Sequence, residues 1–307
     1  MAVQTGSGAG AVGAALDDTG HRRFTGRRAR GGRDKFPRSR LRRVAAYIGI
    51  GVLSIFCALP FGWLLLASVD ARPGLYLKLP DLTLQNFADF FADPTTPRLL
   101  ANSLIIAGGG TVLTVVLGMF GGYALSRFQF FGRRTLMFAI LLTRVVPPTA
   151  TIVPLYMMMV TISLENAYTG IILVEAAYQL PLVLWLMKGF FDTIPKEIEE
   201  AAWTDGASRI VGAIRVVFPL SRPGIGAGAL FAFINIWGDF LTPLVLLQTP
   251  EKYPISIGLF RSFTAFNQVN WGLLTATAVL YMLPTLLLYL VVRRHLLKAT
   301  MTGALKG

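Results

Sequence analysis

The chain has 307 residues, 54% of them apolar and only 15% charged, with a mean hydropathy of +0.58, whereas an ordinary soluble domain carries roughly 25% charged residues. That balance excludes a disordered protein and weighs against a soluble enzyme, because the apolar residues gather in blocks long enough to cross a hydrocarbon layer of about 30 Å. The net charge of +13 does not point to nucleic acid either, since +8 of it belongs to residues 1–43.

In chain order, residues 1–43 open with a Gly/Ala run and continue through Arg22, Arg23, Arg27, Arg28, Arg30 and Arg33. They hold too few apolar side chains to fold alone and are predicted to be a disordered basic cytoplasmic tail drawn to anionic membrane lipid. The first apolar block, 44–69, is too long for the core of a cleaved signal peptide and is expected to stay as a helix. It carries Cys57, the single cysteine, which excludes an internal disulfide and a Cys-based metal site and reads as a buried small hydrophobe.

Five further blocks follow at 103–125, 135–160, 168–187, 224–247 and 272–292. The expectation is an all-α membrane protein with six transmembrane helices between residues 44 and 298 and a short cytoplasmic tail, 299–307. With the N-terminus inside, the cytoplasmic segments hold 23 Lys and Arg against 5 on the other side, which places both termini in the cytoplasm. Gly118 with Gly122 and Gly224 with Gly228 have the spacing that lets helices approach closely in lipid.

Intrinsic catalysis has no support. The tail glycines Gly8 to Gly13 are followed by Ala14 and form no phosphate-cradling loop, while His21 and His295 lie too far apart in sequence to suggest a metal pair. The loop 192–222 is more informative. Pro195 suits a helix start, Glu197, Glu199 and Glu200 place negative charge near its positive end, and a short helix is expected from 195 to about 204. Gly206 then supplies a break, and a second helix is expected over 208–217, ending at Pro219. An amphipathic surface hairpin and a docking element for a partner's groove both account for this pattern.

Three charges lie inside apolar blocks: Arg144, Glu175 and Asp239. A charge at mid-bilayer costs roughly 2.5–3.5 kcal/mol on insertion scales and faces a cavity or a partner. Arg144 precedes Pro147 and Pro148, whose missing donors leave carbonyls for water, protein or a hydroxyl-rich ligand. An ion pair of Arg144 with Glu175 or Asp239 and a direct contact to substrate are both open, and Trp237 suits either stacking on a sugar or an interfacial belt.

The loop resembles the EAA motif of the membrane subunits of bacterial ABC importers: Glu200-Ala201-Ala202, then Asp205-Gly206, Val216 and Phe218-Pro219. Val216 and Phe218 stand where the motif has Ile and Leu. From about residue 46 to 307 the chain is similar to the carbohydrate-importer branch, in particular the second permease subunit of maltose-type systems. Arg144-Val145-Val146-Pro147-Pro148, Ile152-Val153-Pro154-Leu155-Tyr156, Lys188-Gly189-Phe190-Phe191 and Thr302-Gly303-Ala304-Leu305-Lys306-Gly307 carry that resemblance. Trp237-Gly238-Asp239-Phe240 also carries it, with Gly238 in place of Asn.

The resemblance implies a type I ABC importer permease fold in the bacterial cytoplasmic membrane and a cargo of oligosaccharide, disaccharide or polyol. It implies as partners a homologous permease subunit, two ATPase subunits that bind ATP and Mg, and an extracytoplasmic solute-binding protein. This chain itself would bind no cofactor. The first helix of the loop would be the coupling helix, with Glu200 facing basic residues of an ATPase subunit. Rival expectations are an importer of glycerol phosphate, an ion-coupled carrier relaying through Arg144, Glu175 and Asp239, and a membrane scaffold.

Overall fold

The computed structural model describes residues 38–74, 80–264 and 269–304; the predicted tail as far as residue 37 and the last three residues of the C-terminal motif lie outside them. Among the described residues the structure is helical, apart from an isolated antiparallel bridge between Asp70 and Leu82. Among the described residues, those from Arg38 to Ile55 form one unit and those from Phe56 onward another.

Helix α1 runs Arg38–Ser68, so residues 38–43, expected in the disordered tail, are helical and continuous with the first apolar block. Arg is a good helix former, and an established helix extends at little cost per residue. Cys57 corrects the sequence expectation: it is exposed, as are Phe56, Leu59 and Phe61 around it. An apolar side chain in a span need not be covered by protein when lipid is its solvent.

Beyond α1 stand α2 (Gln85–Ala92) and α3 (Thr95–Arg127), the latter beginning eight residues before the predicted block. Asp93 Oδ1 accepts the Thr95 backbone N–H at 2.9 Å, an anchor that fixes the helix start and holds the Asp93 carboxyl below its ordinary range. The predicted span 135–160 is a correction. It is broken into α4 (Arg133–Leu142), a 3-10 turn (Thr143–Val145) and α5 (Pro148–Thr161), with a 99° bend. A residue before proline is pushed out of the α region, and two prolines in succession impose this twice: Val146 has ψ 118° and Pro147 ψ 140°.

Helix α6 (Tyr168–Asp192) is the central element, packed against both α3 and α10 (Arg222–Gly238), which also meet each other. The two small-residue pairs make these contacts. A Cβ on Gly118 would lie 2.8 Å from Val183 and one on Gly122 2.8 Å from Met187 Cβ, while Gly224 abuts Phe190 and Gly228 abuts Met187. Between α6 and α10 lie α7 (Lys196–Thr204), α8 (Arg209–Gly212), a π-turn (Ala213–Val217) and α9 (Phe218–Leu220). Arg209–Leu220 meets α10 at 79°, the break falling at Ser221 with Pro223 in the first turn of the new helix.

The predicted block 224–247 is likewise not one helix. Asp239 is extended, and a short α11 (Leu241–Leu246) follows it. Then come α12 (Ile255–Thr264) and α13 (Trp271–Ala304), which continues the last block as helix through residues expected in the terminal tail. Among the described residues four helices are long and apolar enough to span a membrane, and six spans result when each bent pair counts as one.

Candidate functional site

Two places gather the candidate residues. The first is the hairpin after α6. Pro195, with ψ 138°, ends the preceding turn and starts α7. Glu199 is turned inward and only 1% exposed, where it forms an ion pair with the nearly buried Arg127 at the C-terminal end of α3. Tyr123 OH donates to its second oxygen at 3.0 Å, and Arg127 Nη2 donates to Ile194 O at 3.1 Å. Ser126 Oγ donates to Asp192 Oδ1 at 2.7 Å, so the ends of α3 and α6 are tied together beside the same pair. A buried charge paired and hydrogen-bonded in this way holds a rigid geometry, since losing either partner strands the other.

Glu200 and Ala201 point the opposite way and are exposed, as are Asp205 and Gly206, while Ala202 is half-buried. Helix α7 closes with Gly206 N–H donating to Trp203 O and Ala207 N–H donating to Ala202 O, both at 3.0 Å. This closure needs a left-handed residue after the cap, and Gly206 has φ +89°. Ser208 Oγ accepts the Val211 N–H at 3.3 Å and starts the second arm. The Arg209 guanidinium lies 5.1 Å from the Trp203 ring and 5.6 Å from the Phe128 ring, joining both arms to the end of α3. Pro219 does not end this arm as expected: it sits in the first turn of α9, where a missing N–H costs nothing, and the helix runs to Leu220.

The second place is a half-open cavity of about 910 Å³ bounded by the α4–α5 break, α6 and the end of α10. Arg144, Pro148, Glu175 and Asp239 line it; Pro147 and Trp237 do not. Among the described residues no ion pair joins Arg144 to Glu175 or Asp239, and Arg144 is exposed on its 3-10 turn. Glu175 is 2% exposed and stands against Asp239 and Thr242, yet its Oε1 has no hydrogen-bond partner. Asp239 caps α11, accepting the Leu241 N–H at 3.0 Å and the Thr242 N–H at 3.3 Å.

Trp237 is a correction to both expectations for it. It is 4% exposed and stacked between Phe233 and Tyr281, at 5.4 and 5.5 Å, and its Nε1 donates to Tyr281 O at 3.0 Å. Neither ring face is free for a sugar or for the interface. The cavity instead presents Thr151, Tyr178, Gln179 and Asn235, which sequence reasoning missed. The signal for two of them was spacing: Gln179 lies one helical turn after Glu175, and Asn235 one turn before Asp239. Among the described residues no cluster of three or more His, Cys, Asp or Glu could hold a metal ion.

Residues 110–300 match the family model described as binding-protein-dependent transport system inner membrane component. The chain is 31% identical over 274 residues to the trehalose/maltose transport system permease protein MalG of Thermococcus litoralis, covering 87% of this chain and 98% of that protein. It is 30% identical over 272 residues to the maltodextrin transport system permease protein MdxG of Bacillus subtilis, covering 87% and 97%. The fold is similar to that of a chain in a bacterial ABC transporter involved in the import of the acidic polysaccharide alginate. That match has a TM-score of 0.74 and 22% identity over 84% of this chain and 98% of that one.

Proposed function

Because the chain belongs to the family of binding-protein-dependent transport system inner membrane components, we propose that it is the permease subunit that forms, with a homologous permease, the pathway for a sugar, and that its α7 hairpin couples this pathway to partner ATPases. The observation that carries this reading is the two-faced character of α7. One face is fastened to the spanning helix α3 through buried Glu199, and the other presents Glu200 and Ala201 to solvent.

A helix bolted to a span on one side and bare on the other acts as a handle: force applied to the exposed face is carried into α3 without first being absorbed by a flexible loop. Small Ala201 lets a partner approach closely, and the Glu200 carboxylate suits a basic rim. ATP and Mg belong to the partner subunits in this scheme, and the hydrolysis is theirs. Both termini lie in the cytoplasm, as the Lys and Arg distribution expects. The sugar class is supported by the relatives, named for trehalose, maltose and maltodextrin transport.

The test is ATP hydrolysis by the complex reconstituted with its neighbouring subunits and cognate binding protein. Stimulation by one sugar, abolished by Glu200→Lys, is the expected result. A complex that assembles and responds to no sugar, polyol or glycerol phosphate would overturn the carbohydrate assignment.

A further inference from the structure

Among the described residues, Glu175 is a buried carboxyl with an oxygen that the fold leaves without a partner. It sits inside an otherwise apolar stretch of α6, lines the cavity, is nearly inaccessible, and leaves Oε1 unpartnered. Native proteins leave few buried polar atoms unpaired, and each one calls for a reason. Asp239 already accepts two backbone N–H groups of α11 and has no donor of its own when ionised, and the Thr242 hydroxyl beside the carboxyl still leaves Oε1 unpartnered. A proton shared across the Glu175–Asp239 contact still leaves the Glu175 carboxyl, which lines the cavity, short of a donor. Part of the cavity wall is apolar, with Pro154, Leu155 and Met158 suited to the C–H face of a sugar ring.

We infer that the cavity takes a ligand rich in hydrogen-bond donors and free of negative charge, and that the Glu175 carboxyl receives one of its hydroxyl or ammonium groups. This rests on the importer reading above and narrows its substrate class. A phosphate or carboxylate brought to this wall offers only acceptors and meets two carboxyl groups at close range, whereas a hydroxyl supplies the missing donor. Arg144 is the one cationic residue in the lining, and it is not close enough to either carboxyl to form an ion pair. The volume of about 910 Å³ falls in the range of small-molecule sites, roughly 300–1,000 Å³.

The experiment is uptake into proteoliposomes by the full complex with binding protein in excess. The labelled probes are trehalose, maltose and diacetylchitobiose as neutral sugars, a glucosamine disaccharide as the cationic one, and glycerol phosphate and an alginate oligosaccharide as anions. The wild type should carry at least one neutral or cationic probe and neither anion. Glu175→Leu should lower that uptake about tenfold or more, the factor that one lost hydrogen bond to a carboxyl gives, while Glu175→Gln, which keeps a carbonyl acceptor, should stay within about threefold.

Should Glu175→Leu not assemble, Glu175→Ala is read in the same assay. Saturable uptake of an anion by the wild type, wild-type uptake by the Leu or Ala variant, or equal losses in Gln and Leu would each overturn the inference alone. A wild-type complex that carries none of the six probes would overturn the sugar-importer reading itself.

Discussion

Removing one partner of the Arg127–Glu199 pair should free the α7 hairpin from the bundle. Glu199→Ala strands a guanidinium that is 8% exposed, with only Ser126 Oγ at 3.2 Å and Ile194 O at 3.1 Å left to it, and takes the acceptor from Tyr123 OH. Breaking a buried pair from one side costs about 3–5 kcal/mol, which is a factor of between about two and nearly four orders of magnitude in the equilibrium between docked and released α7. Hydrogen exchange of the purified protein in lipid nanodiscs reads this directly. Amide protection over 196–204 should fall by that factor in Glu199→Ala and in Arg127→Met, while protection in the middle of α6 stays unchanged. The double variant Arg127→Met/Glu199→Leu should recover most of it, since apolar replacement of both partners removes the stranded charge. Unchanged protection in both single variants, or a double variant that loses the sum of the two, would refute the handle.

Two further substitutions test the geometry. Gly206→Ala, at φ +89°, should destabilise the hairpin by about 1–2 kcal/mol and lower sugar-stimulated hydrolysis, with Gly206→Asn milder because Asn tolerates the left-handed region; thermal unfolding of the complex and its ATPase rate check this. Gly122→Ala would set a Cβ 2.8 Å from Met187 Cβ and 3.0 Å from the Lys188 backbone N, at a cost of about 1–3 kcal/mol. Gly189→Ala on the exposed side of α6 meets nothing within 4 Å and should be neutral or stabilising by up to about 1 kcal/mol. Unfolding by SDS titration separates the two.

Much of this molecule was legible as residues in a row. The apolar blocks located the spanning segments, Pro195 and Gly206 set the limits of α7 to within a residue or two, and the glycine pairs marked where α6 meets α3 and α10. These are local effects: proline and glycine act on their own backbone, and hydropathy over about 20 residues measures length. The double proline also carried its message, because Pro147-Pro148 breaks the third block by the same local sterics that sequence reasoning had put to another use.

What the order of residues alone did not decide was direction. A span that is apolar on all sides shows no stripe, so hydropathy says how long a helix is and not which face meets protein, cavity or lipid. Hence Cys57 was expected to be buried and is exposed, Trp237 was expected at a sugar-binding or interfacial surface and is sandwiched by Phe233 and Tyr281, and Arg144, for which an ion pair was one of two open readings, makes none with Glu175 or Asp239. Glu199 and Glu200 are adjacent and chemically alike, yet one is buried against Arg127, 72 residues away in the chain, and the other faces solvent. Sequence by itself determined where the apolar spanning segments lie, the limits of α7 and the motif between the fourth and fifth spans. Only the packing of α3, α6 and α10 decided which carboxylate was buried against an arginine, which faced solvent and which lined a cavity, because those fates depend on neighbours that the chain brings together from far apart.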